Sequence, residues 1–594
     1  MAPGLRFKKL QQLLKIGFVR LPRALSNRQF LMVAAVAVGL WAGLVAVLLK
    51  GLVHYLHGIL SAYSIQYSWI YVISPAVGIF ISLLIVRFVL GGELVRGTHH
   101  VLLAIARKSS VLPRKETYGH ALTSAFTVGF GGSVGLESPI VQTGAAIGSN
   151  FASVFPVSFR DRTLLLACGA AAGIAAAFNA PVAGVLFALE VLLMDISIST
   201  FIPLLIAGAV GALCSKVLLN EGVILSFPNV QRFDYHNVPY YVLLGGACGL
   251  LAAYYLSVFR VVEKWFRYNL PSAAARFLVG CTILGLLILL FPAFLGEGYQ
   301  AIKLLESRQP GALFEGSILN IGPDDTYLLP WLILFLALIK VFAVSFTIEA
   351  GGYGGNFAPS LFTGACLGYA FAALLSRTGL VMLPPANFCL VAMAGMLTGI
   401  FRSPLTAIFL IAEITGGYEL MIPLMIVAAV STAVARYLKP YSLDQEKLRE
   451  HAKGMSFSKE SVVLSGLSWQ SLLERDFIPV PPEASLRKLV EIIAASRRNV
   501  FPVVDTDGKL RGIIYLDDIR EVMFDTSLYD ELTVEQLMQK PVVVAGVHEN
   551  MQDIFEKFDK TGVWNMPVTD DGKYVGFLSK AGIFTTYRNR LLTD

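Results

Sequence analysis

Charge is what this chain has least of. Asp, Glu, Lys and Arg together make up 15% of its 594 residues, while hydrophobic side chains make up 55%. Soluble domains carry about 25% charged residues, so an ordinary soluble enzyme or binding domain is excluded for most of the length. Cysteine is scarce as well. The six present (Cys168, Cys214, Cys248, Cys281, Cys366 and Cys389) all fall in apolar segments without metal-ligand spacing, so neither a disulfide framework nor a metal site is implied. No His-Glu-x-x-His or Walker sequence occurs, which removes two common signatures of a membrane-bound enzyme. The first residues lack the apolar core and small-residue cleavage site of a secretory signal. Carboxylates in the apolar region stand singly, whereas a divalent-cation transporter would need them in clusters.

What is present is hydrophobic length. Residues 31–53, 69–91, 200–219, 240–259, 277–296 and 327–346 are runs of about 20 apolar residues, enough for a helix to cross roughly 30 Å of hydrocarbon. Shorter apolar stretches broken by Gly and Pro lie around 121–153, 163–194, 357–375 and 387–436. Helices that stop inside a membrane are tolerated only where their free backbone groups are buried in protein or line a watery cavity. The net charge is +7, and residues 1–30 supply seven Lys or Arg and no acid. Such an arm before the first span predicts a cytoplasmic N-terminus. Contact with anionic lipid suits it better than nucleic acid.

Composition changes near residue 442, and charged residues then recur every few positions. The expected boundaries are a basic segment 1–30, a transmembrane domain 31–450 with halves of about 31–220 and 237–450, a linker 451–469, and two units at 470–530 and 536–594. Each of these last units reads as strand, amphipathic helix, two β-rich runs joined by a turn (Thr506-Asp507-Gly508; Asp570-Asp571-Gly572), then a second helix. Two tandem copies of this kind resemble a CBS domain pair, a module that often binds adenine nucleotides. The family's ribose-binding pattern is incomplete here. The first copy keeps Gly512 and Asp518 but has Tyr515 at the hydroxyl position; the second keeps Gly576 and Ser579 but has Gly582 where a carboxylate belongs. Weak nucleotide binding through Asp518 and Ser579 and a purely structural or dimerising role both remain open.

The apolar region repeats itself. GGSVGLESPIVQTGAAIG (131–148) aligns without gaps on GGYGGNFAPSLFTGACLG (351–368), an offset of 220 from Gly131 to Gly351. FNAPVAGVLFALE (178–190) aligns on FRSPLTAIFLIAE (401–413), an offset of 223 from Glu190 to Glu413. Transporters built from two such halves, often inverted, place their substrate where discontinuous helices end near the midplane. Both blocks put a Gly-rich loop and an early Pro at the head of an apolar helix. A helix start leaves free N–H groups and about half a positive charge. Two such starts converging would hold an anion by partial charges alone, weakly enough to release it. Glu137 in the first block faces Phe357 in the second, so its carboxylate is a tethered competitor for that site, released by protonation or rotation.

These residues identify a family resemblance. Gly135-x-Glu137-x-Pro139 resembles the CLC chloride channel and chloride–proton antiporter pattern that carries the gating glutamate, and Gly355-x-Phe357-x-Pro359 resembles its second signature. The resemblance spans residues 31 to about 450. It implies an α-helical polytopic membrane fold with an internal, inverted repeat, a homodimer with one anion pathway per subunit, and no required cofactor or metal. It also implies N–H groups of Leu136, Glu137, Ser138, Asn356, Phe357 and Ala358 as anion ligands. The family's third signature corresponds to VRGTHH (95–100), which puts Arg96 near the inner end of the pathway, either attracting anions or pairing locally. At the central tyrosine position stands Asp444, unless Tyr441 serves. Proton-coupled members carry an inner glutamate one residue after Glu190; here that residue is Val191, which leans toward a passive channel. The matching of Glu190 with Glu413 favours a structural role, such as bonding to helix ends. The resemblance therefore implies chloride transport, by a channel or by a proton-coupled exchanger; a CBS-containing divalent-cation transporter is the distant alternative.

Overall fold

The computed structural model describes residues 26–64, 69–106, 109–193, 198–218, 230–307, 309–318, 327–451, 469–549 and 551–593. Most of the basic segment (residues 1–25) and of the linker (452–468) lies outside the described residues. The chain divides into a helical unit, Met1–Lys453, and a smaller unit, Gly454–Asp594.

The helical unit opens with α1 (Asn27–Ser64), α2 (Ile70–Leu84), α3 (His99–Ala106), α4 (Glu116–Gly129), α5 (Glu137–Ala152) and α6 (Phe159–Phe178). It continues with α7 (Pro181–Phe187), α8 (Ile198–Leu218), α9 (Val238–Asn269), α10 (Ala273–Leu290) and α11 (Tyr299–Glu306). It closes with α12 (Leu329–Glu349), α13 (Phe357–Ser376), α14 (Pro385–Phe401), α15 (Pro404–Ile414), α16 (Met421–Leu438) and α17 (Leu443–His451). Among the described residues, nine helices are long and apolar enough to cross a membrane. The six long apolar runs all lie on such helices. The run at 277–296 ends early, at Leu290, because Pro292 offers no N–H to extend the helix. Helix α1, at 38 residues, is about 57 Å long, so it lies oblique to a bilayer or projects from it. Helices α7, α11 and α15 are too short to span. Each ends on a buried residue (Phe187, Glu306 and Ile414), and helix ends inside a membrane are tolerated where protein or a watery cavity receives them.

The two halves join by reciprocal bonds between equivalent residues. Gly135 N–H donates to the Gly355 carbonyl at 2.9 Å, and Gly355 N–H donates back to Gly135 at 2.8 Å. The Thr347 hydroxyl accepts from Ser133 N–H at 3.2 Å, and the Thr127 hydroxyl accepts from Tyr353 N–H at 3.1 Å. Glu413 Oε1 and Oε2 accept from Val182 and Ala183 at the start of α7; Glu190 Oε1 and Oε2 accept from Leu405 and Thr406 at the start of α15. Such mutual exchange is the mark of a local two-fold relation. The last pair is the helix-end bonding that the matched glutamates suggested. Each acid neutralises the donor-rich start of a helix in the other half, where water is not at hand.

In the smaller unit the first copy holds α18 (Leu486–Ala495), β1 (Val500–Val504), β2 (Leu510–Tyr515), α19 (Leu516–Ile519) and α20 (Val534–Leu537). The second holds β3 (Ala545–Gly546), α21 (Met551–Thr561), β4 (Asn565–Asp570), β5 (Lys573–Ser579) and α22 (Lys580–Thr593). Strands β1 and β2 are antiparallel, as are β4 and β5, and β3 joins β4 in parallel. The spacing of Met551, Ile554 and Phe558 turns one face of α21 into the core. Both hairpins turn at the expected glycines, Gly508 (φ 79°) and Gly572 (φ 84°), in backbone only glycine adopts freely. Asp505 accepts N–H bonds from Lys509 and Asp507 across the first turn, which holds its carboxyl below the usual range. The strand expected at the head of the first copy is reduced to a single bridge, Val480 with Val503. Pro481 and Pro482 follow it, and without N–H groups they end the ladder.

Removing an acid from the reciprocal pair leaves two buried donors unsatisfied, at about 1–3 kcal/mol each. Glu413→Ala is expected to lower the thermal unfolding midpoint in detergent, and Glu413→Gln, which keeps one acceptor, by about half as much. Equal midpoints for Glu413→Ala and the wild type would show that the carboxylate does not hold α7.

Candidate functional site

The Gly135–Gly355 bridge sets the starts of α5 and α13 against one another. A methyl group on Gly135 would stand 3.0 Å from Ala358 Cβ and 3.1 Å from Ala358 N; one on Gly355 would stand 3.2 Å from Ser138 N. Ser138 and Ala358 are equivalent in the repeat, so each half's glycine receives the other half's first helical turn. Five of the residues implied as anion ligands (Glu137, Ser138, Asn356, Phe357 and Ala358) are thereby brought together. The Phe357 ring is wedged between Phe178 and Phe401, with centroids 5.5 and 5.4 Å away. The Tyr255 hydroxyl donates to Asn356 Oδ1 at 3.0 Å and orients that side chain.

Leu136 departs from the expectation. Its N–H is not open to an anion in this structure, because it donates to Glu297 Oε1 at 3.1 Å. Glu297 comes from the loop before α11, pinned by a bond from Gly296 N–H to the Gly131 carbonyl at 3.0 Å. Two residues on, the Tyr299 hydroxyl donates to Glu137 Oε1 at 2.7 Å. Neither Glu297 nor Tyr299 was expected at the site. A partial signal existed: GEGY (296–299) sets glycines and an acid just ahead of a helix, as the first signature block does.

Glu137 itself is 3% exposed, and its Oε2 has no hydrogen-bond partner among the described residues. A methyl group on Gly135 would collide with that oxygen. The carboxylate is therefore folded back over Gly135, toward the facing start of α13, with the backbone N–H of Ala358 turned to it. Nearby, the fully buried Lys340 donates to Ser133 Oγ at 2.9 Å and lies 4.8 Å from the Phe362 ring centre.

On the other side of the helix starts is a cavity of about 60 Å³ whose wall includes Arg96, Thr98, Ser138, Asn356, Asp444 and Lys447. Arg96 pairs locally, the second of its two anticipated roles. Its Nη1 donates to the Ile348 carbonyl at 2.7 Å and its guanidinium lies over the Tyr353 ring at 4.8 Å, yet it remains on the cavity wall. Asp444 lies on the same wall and accepts from the Thr98 hydroxyl at 2.7 Å. Tyr441 is set aside as an anion ligand. It is 40% exposed, is no part of this wall, and its ring stacks on Arg449 at 4.2 Å. Helix α17 begins only at Leu443, so Asp444 and Lys447, three residues apart, share its inward face while Tyr441 precedes it. Val191 lies in the helical turn that ends α7 and packs against the hydrophobic core.

In the smaller unit, Asp518 accepts from the Gln539 amide at 3.1 Å, and the Ser579 hydroxyl bonds to the Glu474 carboxylate. Where Gly582 replaces the expected acid, Glu474 Oε1 stands 3.3 Å from the site of the missing Cβ.

A family model described as voltage gated chloride channel matches residues 77–436, and one described as CBS domain matches residues 469–525 and 534–588. Chloride channel protein CLC-f of Arabidopsis thaliana is 27% identical over 547 residues, covering 79% of this chain and 68% of that protein. The H(+)/Cl(−) exchange transporter ClcA of Vibrio cholerae is 26% identical over 344 residues, 56% of this chain and 69% of that protein. Among solved structures, a slow cyanobacterial Cl−/H+ antiporter superposes with a TM-score of 0.61 at 21% identity, over 72% of this chain and 98% of that one.

The close approach at the bridge makes its glycines sensitive to size. Gly355→Ala presses a methyl group on Ser138, and overpacking of this kind costs about 1–3 kcal/mol. A lowered unfolding midpoint in detergent is expected; an unchanged one would show that the helix starts are not in tight contact.

Proposed function

The chain belongs to the voltage-gated chloride channel family, with a CBS domain pair after the membrane part, and from that premise we propose that it carries a small anion, most simply chloride, across a membrane through a path gated by Glu137. The observation that carries this reading is the lodging of a buried carboxylate over Gly135, against the donor-rich start of α13. A negative group deep in a membrane costs about 2.5–3.5 kcal/mol, and it settles where helix N–H groups and dipoles offset that cost. Whatever holds this carboxylate holds a chloride ion of the same charge. N–H groups of Glu137, Ser138, Phe357 and Ala358, with the Asn356 amide, form the ligand set of the vacated site. None carries a full positive charge, so the ion leaves as readily as it enters.

The cavity beyond serves as the inner mouth. Arg96 and Lys447 raise the local anion concentration there, while the Thr98 hydroxyl absorbs part of the Asp444 charge. Gating follows from competition. Ionised, Glu137 occupies the site; protonated, it loses its attraction to the helix starts and swings away. Flux therefore rises as pH falls.

Passive conduction is favoured over exchange by Val191, which offers no proton acceptor at the inner position. The second reading, proton-coupled exchange, draws on one observation: Asp444 places a titratable group on the cavity wall. The homodimer, the cytoplasmic placing of the N-terminus and the CBS pair, and adenine nucleotide binding by that pair belong to the same proposal. The last is the weakest, since Ser579 is engaged by Glu474.

Reconstitution in liposomes with simultaneous chloride and proton recording tests both levels. Acid-stimulated chloride efflux without uphill proton movement is expected of the wild type. In Glu137→Gln, efflux should persist and lose its pH dependence. Protons driven uphill by a chloride gradient would replace the channel with an exchanger; no chloride efflux from either protein would end the transport reading.

A further inference from the structure

Two carboxylates, not one, hang on the start of α5. Glu137 is bonded by Tyr299, and Glu297, two residues before that tyrosine, takes the Leu136 N–H. A single short loop thus bonds two consecutive residues of one helix start, Leu136 through Glu297 and Glu137 through Tyr299. The loop has little freedom. Gly296 and Gly298 adopt φ of 67° and 98°, Gly296 is bonded to Gly131, and a side chain at Gly298 would strike Phe362. The charged and titratable groups facing the pair come from three helices: Lys50 of α1, Tyr299 of α11 and Lys340 of α12. Lys50 acts on both acids and Lys340 on Glu297, and the Lys340 ammonium is bonded to Ser133. Tyr299 donates to one acid alone.

We propose that Glu297 is a positioning partner of the gate, which shares a proton with Glu137 and sets the pH at which the path opens. This deepens the transport reading and rests on it. Two carboxylates held at neighbouring residues of one helix start, Glu137 buried and Glu297 half-buried, resist being ionised together, so the pair holds a proton more readily than either acid alone. Glu297 is fixed on the Leu136 N–H, so Glu137 is the member that departs when the pair takes up a proton. The negative charge of Glu297 also repels the Glu137 carboxylate from its seat. Both effects open the gate at a higher pH than an isolated glutamate would.

Glu297→Gln removes the charge and keeps an oxygen for the Leu136 N–H, so the loop retains its bond. In liposomes, the midpoint of acid-stimulated chloride flux is expected to move about one unit toward acid in this variant. Introduced into Glu137→Gln, the same substitution should leave flux at every pH as it was. A wild-type midpoint in Glu297→Gln, or one moved toward alkaline pH, would overturn the proposal. So would loss of flux in the double variant, because that result marks Glu297 as a structural brace. These failures are separable from failure of the transport reading, which would appear as absent flux in wild type and Glu137→Gln alike.

Discussion

The molecule depends on one junction: the reciprocal pair of hydrogen bonds between Gly135 and Gly355. Backbones approach so closely there that neither residue has room for a side chain, and this closeness aims two helix starts at one place. A helix start inside a membrane is a liability, with N–H groups unsatisfied and a partial positive charge unscreened. The chain meets it in two ways. At α7 and α15 the starts are closed permanently, each by a glutamate from the opposite half. At α5 the Leu136 N–H is taken by Glu297, and the Glu137 carboxylate lies against the start of α13, where in the proposed reading it can leave. The same physical problem thus has a structural answer and a functional answer within one repeat.

Function sits where the repeat is broken. Glu137 stands opposite Phe357, and in the proposed reading that difference makes a gate of one of two matching helix starts. The Gly-Glu-Gly-Tyr loop, with no matching block in the aligned repeat, adds the second acid and the tyrosine that steady it. The cavity wall carries Arg96, Asp444 and Lys447, the last also paired with Glu263 at 3.0 Å.

Much of this was legible in the sequence because repetition and hydrophobic length are local signals. The six long apolar runs, the matched signature blocks and the equivalence of Glu190 and Glu413 needed no knowledge of tertiary contacts. What escaped was contact between distant segments. Glu297 and Tyr299 lie far along the chain from the residues they bond, and no periodicity links a short loop to a helix start that distant. The choice between Tyr441 and Asp444 turned on where α17 begins, and helix boundaries are poorly marked by composition. The lost strand at Val480 was readable in principle, since Pro481 and Pro482 follow it directly.

The central claim is that the starts of α5 and α13 form an anion site that Glu137 occupies in the absence of acid. Anomalous diffraction from Glu137→Gln crystals grown in bromide tests it most directly. The account predicts a bromide peak within hydrogen-bonding reach of the Ser138, Phe357 and Ala358 nitrogens. Bromide found only elsewhere, with those nitrogens left to water or to one another, would contradict it.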